Sequence, residues 1–131
     1  MLTFNLKKEW FDKIKSGEKT HEYREVKDFW TDKLVKEFFN IDKKKKPYDF
    51  NIYKQGMLLV LQNEHGYYNK PLICFMNGMK SEEINPRLYA KMKSIKIING
   101  YFTDLKINKP VYDIEFELIK EQTNDNELQE N

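Results

Sequence analysis

A chain of 131 residues with 40% hydrophobic and 15% aromatic side chains has material for one domain with one core, and too little for two of ordinary size. The net charge of +2 conceals a division: the last eleven residues, EQTNDNELQEN, carry four acids and no Lys or Arg, and taking those four negative charges from the total leaves residues 1–120 at +6. A basic folded body with an acidic tail from 121 to 131 suits an anionic partner and excludes an acidic, solvating chain.

The opening LTFNL places Leu2, Phe4 and Leu6 on one face of a short strand. In KKEWFDKIKSG, Trp10, Phe11 and Ile14 fall at helical spacing, and Gly17 is a natural C-terminal stop, which predicts about three turns of helix. GEKTHEYRE follows, polar or charged at seven of nine positions, with Thr20, Tyr23 and Val26 favouring extended structure. FWTDKLVKEFFN then sets Trp30, Leu34, Phe38 and Val35 along one helical face, with Thr31 or Asp28 as N-cap.

Four consecutive lysines, Lys43 to Lys46, and Pro47 break the pattern into an exposed loop, either a solvated turn or a phosphate-contacting patch. Beyond it the character changes. FNIYKQG, MLLVLQN, KPLICFMNG, SIKIING and VYDIEFELI are short, rich in Ile, Val, Phe and Tyr, and bounded by Gly, Pro or Asn, as expected of strands in a mixed or antiparallel sheet. QNEHGYYNKP between two of them fits a hairpin loop, in which Tyr67 and Tyr68 either pack ordinarily or join a ligand site. SEEINPRLYAKMKS, opening on Ser81 as a cap candidate, predicts either a short helix interrupted near Pro86 or a loop plus one helical turn. The tail lacks apolar content to offset its ordering entropy, so disorder is expected there.

Cys74, the one cysteine, lies in PLICFM and is expected buried as a small hydrophobe. The start, MLTFNLKKEW, lacks an apolar targeting core, and no run approaches membrane-spanning length, so a soluble cytoplasmic protein is expected. His21 and His65 are the only histidines, no ligand pair has metal-site spacing, and the glycines are scattered singly. Neither a metal nor a nucleotide cofactor is implied. Heavy use of Lys, Asn and Ile is suggestive of an AT-rich genome, bacterial or phage.

If residues 19–24 form a strand, Lys19, His21 and Tyr23 project to one side and Thr20, Glu22 and Arg24 to the other. Neither side is an ordinary core face. Such a strand is either a salt-bridged edge or the lining of a polar cleft, with Glu22 orienting the Arg24 guanidinium toward a phosphate or a base edge.

Gly17, Lys19, Glu22 and Arg24, set after a strand and a helix, match the Gly-x-Lys-x-x-Glu-x-Arg signature, and the chain through VYDIEFELIK resembles the ASCH domain family of the PUA-like superfamily. The resemblance implies an α+β fold, a PUA-like β-barrel with peripheral helices over residues 1–120, akin to PUA, EVE and YTH domains, with a cleft beside the motif. It implies binding of RNA or a nucleotide-like ligand, with Lys19, Glu22, Tyr23 and Arg24 as the contacts. Lys19 and Arg24 would hold phosphate or a base edge, Glu22 would position Arg24 or accept a hydrogen bond from a base amino group, and Tyr23 would be an aromatic wall.

Some compact members resemble amidohydrolases acting on a modified cytidine through a Lys, a Thr and a Glu. Their Lys-Thr pair is followed two residues later by the nucleophilic Thr, and here that position is Glu22, which argues against this activity. Ribonuclease activity, also linked to some members, would draw its acid–base groups and phosphate stabilisation from Lys19, His21 or Tyr23, and Glu22. The feature that would favour it is His21 in the cleft within hydrogen-bond reach of Lys19 or Glu22.

Overall fold

A computed structural model of the chain describes residues 1–38, 70–78 and 86–119. The Lys43–Lys46 loop, the strands expected at FNIYKQG and MLLVLQN, Tyr67 and Tyr68, the Ser81 cap and the acidic tail lie outside the described residues.

The described chain is an α+β fold, a five-stranded mixed sheet curled into a half-barrel with two helices. In chain order it runs β1 (Leu2–Leu6), α1 (Lys8–Lys15), β2 (His21–Glu25), α2 (Asp28–Phe38), β3 (Leu72–Asn77), β4 (Arg87–Asn99), a 3-10 turn (Gly100–Phe102) and β5 (Pro110–Leu118). The sheet order is β1-β3-β4-β5-β2. β1 and β3 are parallel and every other pair is antiparallel.

Strand β1 forms as its alternation predicts: Leu2, Phe4 and Leu6 are buried and Asn5 is exposed. Helix α1 is shorter than expected, eight residues, about two turns. Phe11 and Ile14 face the core, Glu9 lies in the first turn, and Lys13 and Lys15 in the last, as the helix dipole favours. Gly17 then adopts φ +86°, a left-handed conformation that glycine takes without steric cost.

In α2, Thr31, Leu34 and Val35 are the buried residues, with Trp30 and Phe38 packed on the core's flank. Thr31 is not a cap but sits inside the helix. Its hydroxyl pairs with the Tyr112 hydroxyl at 2.6 Å, so a buried polar side chain is satisfied across the core.

The clearest departure from expectation is at 87–94. No helix or helical turn forms there, because RLYAKMKS is the first part of one thirteen-residue strand, β4, running on through SIKIIN. The inward residues are Leu88, Ala90, Met92 and Ile95. The step from 92 to 95 breaks a two-residue repeat because the β4–β5 register shifts between Met92 and Ser94. A bulge inserts one residue there, so Leu88, Met92 and Ile95 acquire helical spacing inside a strand. Hydrogen-bonded neighbours on both sides, β3 and β5, override the local pattern.

Cys74 is buried, as expected. The core runs from β1, α1 and α2 across the inner sheet face, through Phe4, Phe11, Ile14, Leu34, Ile73, Phe75, Ile114 and Phe116.

Candidate functional site

The GEKTHEYRE segment becomes a tight exit from α1 followed by edge strand β2. Gly17 N–H donates to Ile14 O, Lys19 N–H returns to Lys13 O, and Phe116 N–H donates to Thr20 O. The strand proper begins at His21 and, among the described residues, pairs only with β5, Glu22 opposite Ile114 and Tyr23 opposite Asp113. Its two faces have different environments.

Glu22 and Arg24 point inward. Glu22 is buried, with Oε1 3.7 Å from Lys19 Nζ and Oε2 3.9 Å from the Arg24 guanidinium. That guanidinium lies 4.9 Å from the Phe4 ring centre and 4.7 Å from that of Trp30. Phe4 belongs to β1, the opposite edge of the described sheet. A side chain from one edge can lie on a ring from the other only if the sheet curls, so Arg24 reaches from β2 across to β1. Burial lowers the Arg24 pKa and Glu22 partly offsets this, leaving the cation in place at any physiological pH. Glu22 Oε2 and Arg24 Nε have no hydrogen-bond partner among the described residues.

His21 and Tyr23 point the other way and stack with ring centres 6.1 Å apart. His21 Nδ1 is 2.7 Å from Asp113 Oδ1, and Nε2 is 3.4 Å from Glu115 Oε2. The imidazole is thus held by carboxylates at both ends. Its partners are these β5 acids rather than Lys19 or Glu22, although it lines the same cleft as Lys19.

Lys19 joins the two faces. It has left the plane expected for a strand residue, since β2 starts two positions later. Its ammonium bonds Asp104, faces Glu22, and lies 5.0 Å from the Trp10 ring centre and 5.3 Å from that of Tyr23. Lys13 also lies over Trp10, at 4.7 Å. Trp10, Lys13, Lys19, Tyr23 and Asp104, with Glu18, Thr20 and His21, line a cleft of about 260 Å³. That is just below the ~300–1,000 Å³ of drug-sized ligand sites, room for one base rather than several.

The Tyr23 phenol is pushed above its ordinary value of 10.0 by burial first, then by Asp113, Asp104 and Glu22. It therefore stays a neutral ring, and one that carries no charge to repel an anion.

Of the residues the sequence singles out, Lys19, His21 and Tyr23 meet in the cleft, whereas Glu22 and Arg24 support it from the inner face and are not among its lining residues. Thr20 lines the cleft beside Lys19, while Glu22, at the position of the expected nucleophile, is buried against two cations. Trp10, Lys13 and Asp104 were not singled out for the site. Trp10 and Lys13 share the i, i+3 spacing that also fits an ordinary amphipathic helix, and Asp104 is remote in sequence. Among the described residues no cluster of His, Cys, Asp or Glu could hold a metal, and no helix is long and apolar enough to cross a membrane.

No family model, curated protein or solved structure matches the chain.

Proposed function

We propose that this chain is an ASCH-type, PUA-like domain that binds single-stranded RNA or a nucleotide-like ligand in the Trp10–Lys19–Tyr23 cleft. The observation that carries this reading is the placement of Lys19 between two aromatic side chains, with Lys13 over the first of them. Aromatic faces stack on any base, and an adjacent cation takes the phosphate, a combination that suits an unpaired nucleotide. Lys19 has three donors, and Asp104 and Glu22 hold its ammonium in place, with a tenth of the side chain left exposed. Arg24 and Glu22 contribute by fixing Lys19 from behind, a supporting role in place of direct phosphate or base contact.

The other reading, a small RNA-processing enzyme, is favoured by one observation, the His21–Asp113 contact in the cleft wall. A carboxylate behind a histidine is how a general base is oriented. Here, however, the second ring nitrogen faces Glu115 and must leave it before it can take a substrate proton. Binding needs no such rearrangement.

Fluorescence anisotropy of a labelled single-stranded RNA at two salt concentrations, for wild type and Lys19→Ala, tests the proposal. The expected outcome is salt-weakened binding by the wild type, with a shallower salt slope for Lys19→Ala by about 0.7, the loss of one single-strand phosphate contact. Absence of wild-type binding at either salt sinks it. A gel of the same samples separates the readings, because cleaved RNA would favour the enzyme.

A further inference from the structure

The connection from β4 to β5 carries a feature that the fold does not use. Tyr101 and Phe102, on the 3-10 turn, expose 60% and 85% of their surface, and Leu105 exposes 39%. Tyr101 and Phe102 meet edge to face, ring centres 5.1 Å apart. Single exposed apolar residues are normal on a protein surface, but these are adjacent, and the backbone beneath them is fixed.

The Asn99 side chain accepts from Tyr101 N–H at 2.8 Å and donates to Asn108 at 2.9 Å. The buried Thr103 hydroxyl donates to Gly100 O and accepts from Leu105 N–H. Gly100 N–H donates to Lys109 O, and any Cβ at Gly100 would stand 2.6 Å from Val111 Cγ1. A turn tied at so many points holds its two rings in water at little further entropic cost, the condition for a preorganised contact.

Its location gives the partner. Asp104, two residues after Phe102, bonds Lys19 and lines the cleft, so the backbone at Phe102 lies within about 8 Å of that at Asp104. Lys106 and Lys109, both exposed, follow on the same connection. Lys106 makes no ion pair among the described residues. Lys109 pairs with Glu25 at 3.6 Å, which leaves Lys106 as the cation beside the rings, and two rings with a lysine, close along the chain to a cleft sized for one base, suit a strand of nucleotides.

We propose that the Tyr101–Phe102 turn is a second stacking station, taking a base adjacent to the one held by Trp10 and Tyr23, so that the ligand is an oligonucleotide and not a mononucleotide. This rests on the nucleotide-binding reading of the cleft. Lys106 lies beside the linking phosphate, and Asp104, by pinning the turn to Lys19, sets the spacing between the two stations.

The test is a titration of wild type, Phe102→Ala and Tyr101→Ala with adenosine monophosphate and with a labelled single-stranded RNA of about six nucleotides. Phe102 is exposed, so its variant should keep the wild-type thermal midpoint. The expected result is that Phe102→Ala weakens the oligonucleotide roughly 5- to 150-fold, the loss of one stacked base, while the affinity for the monophosphate is unchanged. Equal oligonucleotide affinity in wild type and both variants overturns the second station and leaves the cleft reading intact. Wild type that binds neither probe overturns both. Self-association in sedimentation that Phe102→Ala abolishes, with RNA affinity unchanged, assigns the turn to protein contact and overturns the proposal.

Discussion

The inner and outer faces of β2 are alike in sequence and opposite in use. Glu22 and Arg24, two residues apart, turn inward, where the guanidinium lies on Phe4 from the far edge of the sheet and on Trp30 from α2. His21 and Tyr23, interleaved with them, turn outward against Asp113 and into the cleft. A polar strand therefore does not announce a binding surface on both faces. The Glu22–Arg24 pair reaches from β2 to Phe4 and Trp30, and His21 and Tyr23, with Lys19 at the junction, line the candidate site.

The contrast is most severely tested by Arg24→Ala. Removing the guanidinium strips the buried Glu22 of one cation and uncovers Phe4 and Trp30, so chemical denaturation should show a loss of about 3 kcal/mol, the low end for breaking a buried pair because Lys19 still faces Glu22. The double variant Arg24→Met/Glu22→Leu should recover part of that loss, since an apolar pair leaves no charge unpartnered. A strong loss of RNA affinity in an Arg24 variant of wild-type stability would instead place the residue in the site.

Tyr23→Ala is the counterpart on the outer face. It should cost RNA affinity about 1–3 kcal/mol, one base stack, with little change in the denaturation midpoint, and Tyr23→Phe should bind nearly as the wild type does. Smaller still is His21→Gln. Its ring is about one-third exposed, so losing the Asp113 contact should lower stability by less than about 1 kcal/mol. An enzyme would show itself here, because RNA cleavage would vanish with this change.

The last expectation is a pH dependence. Because the folded chain holds the Tyr23 proton to higher pH than an ordinary phenol, this contribution to stability is whole below pH 10.0 and is lost as pH rises through the folded value. Phenolate absorbance in Tyr23→Phe should lose a late-titrating component relative to wild type.

Much of the frame was legible. β1, α1 and α2 announce themselves because their buried residues recur at the period of the element, as Leu2, Phe4 and Leu6 do, whereas β3 and β5 are legible from their Ile, Val, Phe and Tyr content, residues 73–75 and 111–114 being buried in unbroken runs. The second half of β4 is legible as SIKIING, but its first half is hidden because the bulge gives Leu88, Met92 and Ile95 the spacing of a helix, and only its neighbours reveal the strand there. The site was legible in part. Lys19, His21 and Tyr23 stand in one motif, but which face of β2 looks into the cleft depends on where the strand begins, a matter of two residues. Asp104 lies 85 residues from its partner Lys19, and a contact closed by the β4–β5 connection leaves no local trace. Nor does the sequence distinguish Trp10 at the cleft rim from Trp30 beneath Arg24, since both sit in amphipathic helices.

Those two tryptophans, the only ones in the chain, report on the two regions separately. The most direct measurement is a nitrogen-proton correlation spectrum of the labelled protein, following both indole N–H signals while single-stranded RNA is added. The Trp10 signal should shift progressively and saturate while the Trp30 signal stays in place. Movement of Trp30 with Trp10 unmoved would put the ligand on the inner, Arg24 side and contradict the division of labour between the two faces of β2.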